Sequence, residues 1–502
     1  MQIDYTSQTQ YFWVLLPEIL LSAWAMLVLL TDVFQKGDSE RPSSSMMPWL
    51  TLVGFAIAAV ANGYLLTMHE VGTQGMMVID TFRVFSNFLF LLAGAMFVLI
   101  STRYIDQEQL RLGELYVLAM FSIVGMMVFA GSRDLMVSFI GLELMSVPVY
   151  VLTGINRRSF RSAEGALKYF MLGAFSSAFF LFGIALVYGA TGTTNLAMIA
   201  TAISADATVA GFLLPVGIAL LAVGFGFKVA AVPFHMWTPD AYEGAPVPVT
   251  AFMSTAIKAA AFAAFLRVFL TAFPGLYDTW DTMAIWLAII TMVVANLTAL
   301  VEGNVKRLLA YSSIAHAGYL LVALAAGSEI GAASFLFYLV VYTLMTIGAF
   351  AVVMAVGRRG EERMDLQDYA GLATSSPLLA IVMTIFLLSL AGFPLTGGFI
   401  GKVFILRAAI DRGLVLLSVV LVVASIFSYY YYLRIAWYMW FREPEGGALP
   451  EVTLSPALRA TLVFAAIAVI VLGIFPGQLL DAAQQSAQGL MQVPAALVDA
   501  AR

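Results

Sequence analysis

Residues 224–262 read GFGFKVAAVPFHMWTPDAYEGAPVPVTAFMSTAIKAAAF. Lys228 and Lys258 stand inside sequence apolar enough for a bilayer, and a proline-rich interruption with His235, Asp240 and Glu243 separates them. A lysine at the centre of a membrane helix costs about 3 kcal/mol or more, so such residues are rare and mark charge pathways. A third lysine, Lys402, has similar surroundings in LAGFPLTGGFIGKVFI. The pattern predicts a protein that moves charge across a membrane.

The rest of the chain has the composition this requires. Of 502 residues, 62% are hydrophobic and only 11% charged, where a soluble domain carries about 25% charged residues. Apolar runs near twenty residues recur throughout, so the fold class is an all-α polytopic membrane protein with about 14 transmembrane helices. The chain has no cysteine, which excludes thiolate-ligated clusters, disulfides and a cysteine nucleophile on this chain. His69, His235 and His316 fall on separate segments without metal-site spacing. The glycines before Lys228 lack the strand–turn–helix setting of a dinucleotide loop. No cofactor, metal or nucleic-acid partner is therefore expected on this chain. The first basic residue, Lys36, follows the first apolar run, so the N-terminus is expected to stay as a spanning helix, not to be a cleaved signal peptide.

Spans are expected at about 11–31, 47–68, 78–101, 113–130, 133–153, 163–189, 210–232, 246–272, 279–301, 305–326, 331–357, 376–397, 398–440 (a short helix, then a long one) and 456–475. Basic residues gather after odd-numbered spans, except that the loop after span 7 has none: Lys36 and Arg41; Arg103 and Arg111; Arg157, Arg158 and Arg161; Lys306 and Arg307; Arg358, Arg359 and Arg363; Arg442. Loops after even spans hold little beyond Arg133 and Arg412. The positive-inside rule then puts odd loops in the cytoplasm and both termini outside. The C-terminal tail, DAAQQSAQGLMQVPAALVDAAR, reads equally as an interfacial helix or a disordered end.

GFGFKV at 224–229 matches GFIGKV at 398–403 as G-F-x-x-K-V, and each copy has helix breakers beside it: Pro233 for one, Gly392, Pro394 and Gly397 for the other. Paired broken helices point to an ion site built from repeats. The copies lie five spans apart, which predicts two inverted five-helix repeats, helices 4–8 and 9–13, with helices 7 and 12 broken. The expected organisation is 1–112 (helices 1–3), 113–272 and 273–441 (the two repeats) and 442–502 (helix 14 and the tail).

Other polar residues at depth extend the pattern. Glu143 in IGLELMSVPVY is a costly carboxylate in span 5, and an expected ion-pair partner for Lys228. Lys168 lies just inside the cytoplasmic end of span 6, where it could also snorkel. His316 in YSSIAHAGYLL has Ser312, Ser313 and Tyr319 for company, which suits a proton relay. His235 and Asp240 read as structural or gating groups. Arg434 reads as a snorkelling residue in an aromatic belt, and Glu18 as facing a neighbouring subunit. At Lys402 either ionisable group should carry a proton, so glutamate should serve better than alanine.

At KVAAVPFHMWTPDAYEGAP, beginning at Lys228, the chain resembles the antiporter-like membrane subunits of respiratory complex I, a family that includes Mrp antiporter subunits. The resemblance runs from LPEILLSAWAM to LAGFPLTGGFIGKVFI. Within the family the chain looks most like the N subunits, through EGALKYFMLGAFSSAFFLFGIALVYGATGTTNL, YSSIAHAGY and a lysine at Lys402 where M subunits usually carry glutamate. The resemblance implies the 14-helix repeat fold and a hydrated charged axis at mid-membrane. It makes Glu143 the partner of Lys228, Lys258 the central lysine and Lys402 the residue at the outward exit, with Lys168 and His316 along the axis. It implies a proton-translocating subunit of NADH–quinone oxidoreductase in a bacterial inner membrane, with other membrane subunits of the complex as partners. NADH, FMN, iron–sulfur clusters and quinone would be bound by other subunits. The rival readings are an Mrp-type cation/proton antiporter subunit, a solute transporter and a structural scaffold.

Overall fold

The computed structural model describes residues 1–3, 8–35, 46–70, 75–108, 113–205, 211–357, 363–444, 452 and 454–500. Of the loop charges behind the positive-inside argument, Lys36, Arg41, Arg111, Arg358 and Arg359 lie outside these residues. In hydrocarbon the backbone must satisfy its own hydrogen bonds, so apolar runs become helices. In chain order they are α1 (Gln8–Val14), α2 (Leu16–Gln35), α3 (Met46–Tyr64), α4 (Thr81–Glu108), α5 (Gly113–Gly131), α6 (Leu135–Thr153), α7 (Phe160–Thr191), α8 (Leu196–Ala205), α9 (Leu213–Val229), α10 (Trp237–Gly244) and α11 (Val247–Phe252). A π-helical turn, Met253–Ile257, joins α11 to α12 (Lys258–Ala272). Then come α13 (Tyr277–Val301), α14 (Val305–Ala325), α15 (Glu329–Val356), α16 (Leu372–Ser375), α17 (Pro377–Ala391), α18 (Gly397–Asp411), α19 (Val415–Phe441), α20 (Pro456–Ile474) and α21 (Gly477–Ala500). Among the described residues, twelve helices are long and apolar enough to cross a membrane. The chain is an all-α polytopic membrane protein.

The centre of the bundle is α12, α14 and α15, nearly all of whose residues are buried. Outer helices keep large apolar side chains exposed, among them Phe34, Phe175 and Val301, as a lipid-facing surface requires. Two interruptions shape the interior. α9 stops because Ala230 turns left-handed (φ 60°) and sends its N–H back to the α9 carbonyls. Trp237 Nε1 then donates to Phe227 O at 3.0 Å, and Val232 N–H to Thr291 Oγ1 at 3.0 Å. α17 stops at Gly392 (φ 88°), and Tyr429 OH donates to the Gly392 carbonyl at 2.9 Å. Backbone groups released at membrane depth thus find partners inside the protein. The G-F-x-x-K-V copies, however, occupy opposite sides of their breaks. Lys228 is in the last turn of α9, ahead of its break, whereas Lys402 is in α18, after its own.

Both described chain ends lie on one face. There Gln2–Ile3 (β1) pairs in parallel with His69–Glu70 (β2). α21 settles the reading of the tail as a helix: Thr81 Oγ1 donates to Gln485 O at 3.1 Å, and Gln488 Nε2 to Glu329 Oε1 at 2.9 Å. Two buried ion pairs, Arg83–Glu18 (2.7 Å) and Arg267–Asp80 (2.7 Å), and a partly buried one, Arg133–Glu70, tie segments together at this face. Glu18 therefore does not face outward; it is buried because Arg83, at the start of α4, reaches it and the Val14 carbonyl together.

Candidate functional site

Lys228 Nζ reaches from α9 to α6, donating to Ser146 Oγ at 2.8 Å and Tyr150 OH at 3.0 Å. The ammonium also lies over the Tyr150 ring, 5.3 Å from its centroid, a geometry that favours a cation. Glu143, one turn before Ser146, is half-buried and accepts from Ser177 Oγ of α7 at 2.5 Å. The expected Glu143–Lys228 ion pair is absent. Hydroxyls further along α6 meet the lysine instead, and the carboxylate turns to α7.

The π-helical turn sets Lys258 at the head of α12, where its ammonium points at α14. It donates to Ser313 O at 2.9 Å and Ser313 Oγ at 2.7 Å, and Tyr342 OH of α15 donates to the same hydroxyl at 2.8 Å. One turn on, His316 bonds through Nδ1 to Tyr338 OH (2.5 Å) and through Nε2 to Tyr432 OH (3.0 Å). Tyr432 in turn bonds to Ser312. Lys402 caps α17, donating to Leu390 O at 3.0 Å and Ala391 O at 2.9 Å. Its ammonium lies 4.7 Å from the centroid of the Tyr319 ring, and that ring meets His316 edge-on at 5.2 Å.

Lys258, His316 and Lys402 thus form a row, with Lys228 set apart from it, and each of the four is no more than 6% exposed. Between the Lys228 and Lys258 sections stand rings rather than hydrogen bonds. Tyr169 stacks on Trp237 at 4.2 Å, Trp237 meets Tyr242 at 6.0 Å, and the Tyr242 ring lies 6.0 Å from Lys258 Nζ.

Lys168 does not join the row. It is 44% exposed and pairs with Glu164 and Asp240, both at 2.8 Å, in an open groove that Arg161 and Glu243 also line. Its position near the start of α7 leaves the side chain at the bundle surface, facing the α10 carboxylates. Arg307 reaches the same carboxylates, Asp240 at 3.1 Å and Glu243 at 2.8 Å. Arg434 donates to the Leu300 and Glu302 carbonyls, so it caps α13 instead of snorkelling freely.

Sequence reading missed the hydroxyl partners Ser146, Tyr150, Tyr338, Tyr342 and Tyr432. It also missed Lys306, counted among loop charges yet fully buried. A signal was present: Ser146 and Tyr150 follow Glu143 at helical spacing, and SYYYYLRIAWYMW is unusually rich in phenols for a lipid-facing helix.

Residues 132–428 match the family described as NADH:quinone oxidoreductase/Mrp antiporter, TM. NADH-quinone oxidoreductase subunit N of Trichlorobacter lovleyi is 46% identical over 475 residues, covering 94% of this chain and 96% of the relative. Subunit N 1 of Sorangium cellulosum is 45% identical over 92% of this chain and 95% of the relative. Among solved structures, a chain of respiratory complex I from Thermus thermophilus is 36% identical with a TM-score of 0.78, covering 94% of this chain and all of that one. A chain of the Mrp complex from Dietzia sp. shares the fold at 23% identity and a TM-score of 0.83, over 96% and 99% of the two chains.

Proposed function

Because the chain belongs to the family of NADH:quinone oxidoreductase and Mrp antiporter membrane subunits, we propose that it is the N-type subunit of an NADH–quinone oxidoreductase. In this reading it translocates protons, driven by electron transfer from NADH to quinone in other subunits. The flavin, iron–sulfur clusters and quinone site belong to those subunits, and neighbouring membrane subunits are its partners. The observation that carries the reading is the buried row, in which each cation meets neutral oxygens or rings and none meets a carboxylate. Hydroxyls that both donate and accept can take a proton from one neighbour and hand it to the next.

Lys228, Lys258, His316 and Lys402 are the carriers in this proposal. Glu143 is the carboxylate at one end, and Lys168 belongs to the charged groove at the membrane face. Each broken pair, α9 with α10 and α17 with α18, counts as one interrupted span, which brings the spans to fourteen and suits two inverted repeats. The face bearing both termini is assigned to the periplasm of a bacterial inner membrane by the loop charges. Full-length likeness to N subunits favours this reading over an Mrp-type antiporter, for which the likeness is one of fold.

The test replaces Lys258 or Lys228 by alanine in the assembled complex and follows proton uptake per electron in sealed vesicles. Each variant is expected to assemble and to lose most of its pumping. Normal proton-to-electron ratios in both would refute the assignment.

A further inference from the structure

We propose that Lys306 and Arg307 are positioning residues that tie α10 to α14 and so set the passage between Lys228 and Lys258; the proposal rests on the translocation reading above. α10 is eight residues long and is cut off from α9 by the interruption. A helix this short has little stability of its own, so contacts from outside fix its place. α7 packs along one side of it, Tyr169 stacking on Trp237, and two consecutive residues of α14 hold it from the other side by hydrogen bonds and ion pairs. Lys306, fully buried, donates to Glu243 O at 2.8 Å and Ala245 O at 2.7 Å, the carbonyls at the C-terminal end of α10. A cation there satisfies orphan carbonyls and complements the helix dipole. Arg307 holds the Asp240 and Glu243 carboxylates of the same helix.

What α10 positions matters for conduction. Trp237 and Tyr242 are the rings standing between the Lys228 and Lys258 sections. α14 also carries Ser313 and His316, about 9 and 14 Å along the helix from Arg307. A shift of α14 that follows a change of charge at Lys258 or His316 is therefore passed to α10 and moves those rings. The grip can also slip. Asp240 is shared between Arg307 and Lys168 in an open groove, where ion pairs are weak and exchange readily.

The experiment measures protons moved per electron and quinone reduction in vesicles holding the whole complex, with Lys258→Ala as reference. Arg307→Met is expected to lower the ratio at least two-fold while quinone reduction continues, and Arg307→Lys to recover more than half of it. A normal ratio in Arg307→Met, or a loss that lysine does not recover, overturns the proposal. Should Arg307→Met fail to assemble, Glu243→Gln, which removes the shorter of the two Arg307 ion pairs from the α10 side, is expected to lower the ratio, and a normal ratio overturns the proposal. A Lys258→Ala complex that pumps normally would instead sink the translocation reading, and this inference with it.

Discussion

A buried ammonium persists only where its hydrogens find acceptors, and Lys402 shows how that shapes what can replace it. Its Nζ serves the last two carbonyls of α17. Alanine would leave both without a partner, at about 1–3 kcal/mol for each buried group. Glutamate could serve one of them, and only while protonated, because an ionised carboxylate has no hydrogen to give. Lys402→Glu is therefore expected to pump better than Lys402→Ala, with an advantage that shrinks as pH rises. Proton uptake by both variants across a pH series checks this. The geometry thus adds a condition to the simpler expectation that any ionisable group would serve.

At the scale of elements, the break between α17 and α18 depends on one close approach. The first turn of α18 sits so near the end of α17 that a Cβ on Gly398 would overlap the Ser389 carbonyl. Gly398→Ala is expected to cost about 1–3 kcal/mol as an overpacked contact. Gly303→Ala, at a position with open space around the added carbon, should be near neutral. Thermal unfolding of the two complexes in detergent separates them. The breakers themselves were legible, since glycine and proline announce where a helix stops. Which half of each broken helix holds the lysine was not legible, because G-F-x-x-K-V spells both sides alike.

Across the whole molecule, the face with the termini is fastened by buried ion pairs that draw partners from distant segments. Asp80, just ahead of α4, meets Arg267, near the end of α12, through two contacts at 2.7 and 2.9 Å. Burial alone would raise the Asp80 carboxyl, but the Arg267 guanidinium holds it below its ordinary value of 3.8. A carboxyl lowered by folding stabilises the protein above its unfolded value, and that contribution is lost as pH falls through the folded one. Arg267→Gln strands a buried carboxylate and is expected to cost about 3–5 kcal/mol near neutral pH. The penalty should lessen as acid protonates Asp80, which unfolding temperatures measured along a pH series would reveal. If the penalty were the same at every pH, the pairing would not be the source of the stability.

The sequence by itself determined the membrane class, the helical fold, the two interruptions and the family, because each is written in neighbouring residues: apolar length, breaker positions, motif strings. It also named Lys228, Lys258, His316 and Lys402 as deep groups, since depth within a span is a local property. Only the tertiary structure decided what those groups touch. Ser146 rather than Glu143 meets Lys228, Lys168 stands outside the row, Glu18 is consumed by Arg83, and Lys306 is interior. Side-chain partners are set by the rotation and crossing of helices far apart in the chain, and no local pattern of residues encodes those angles.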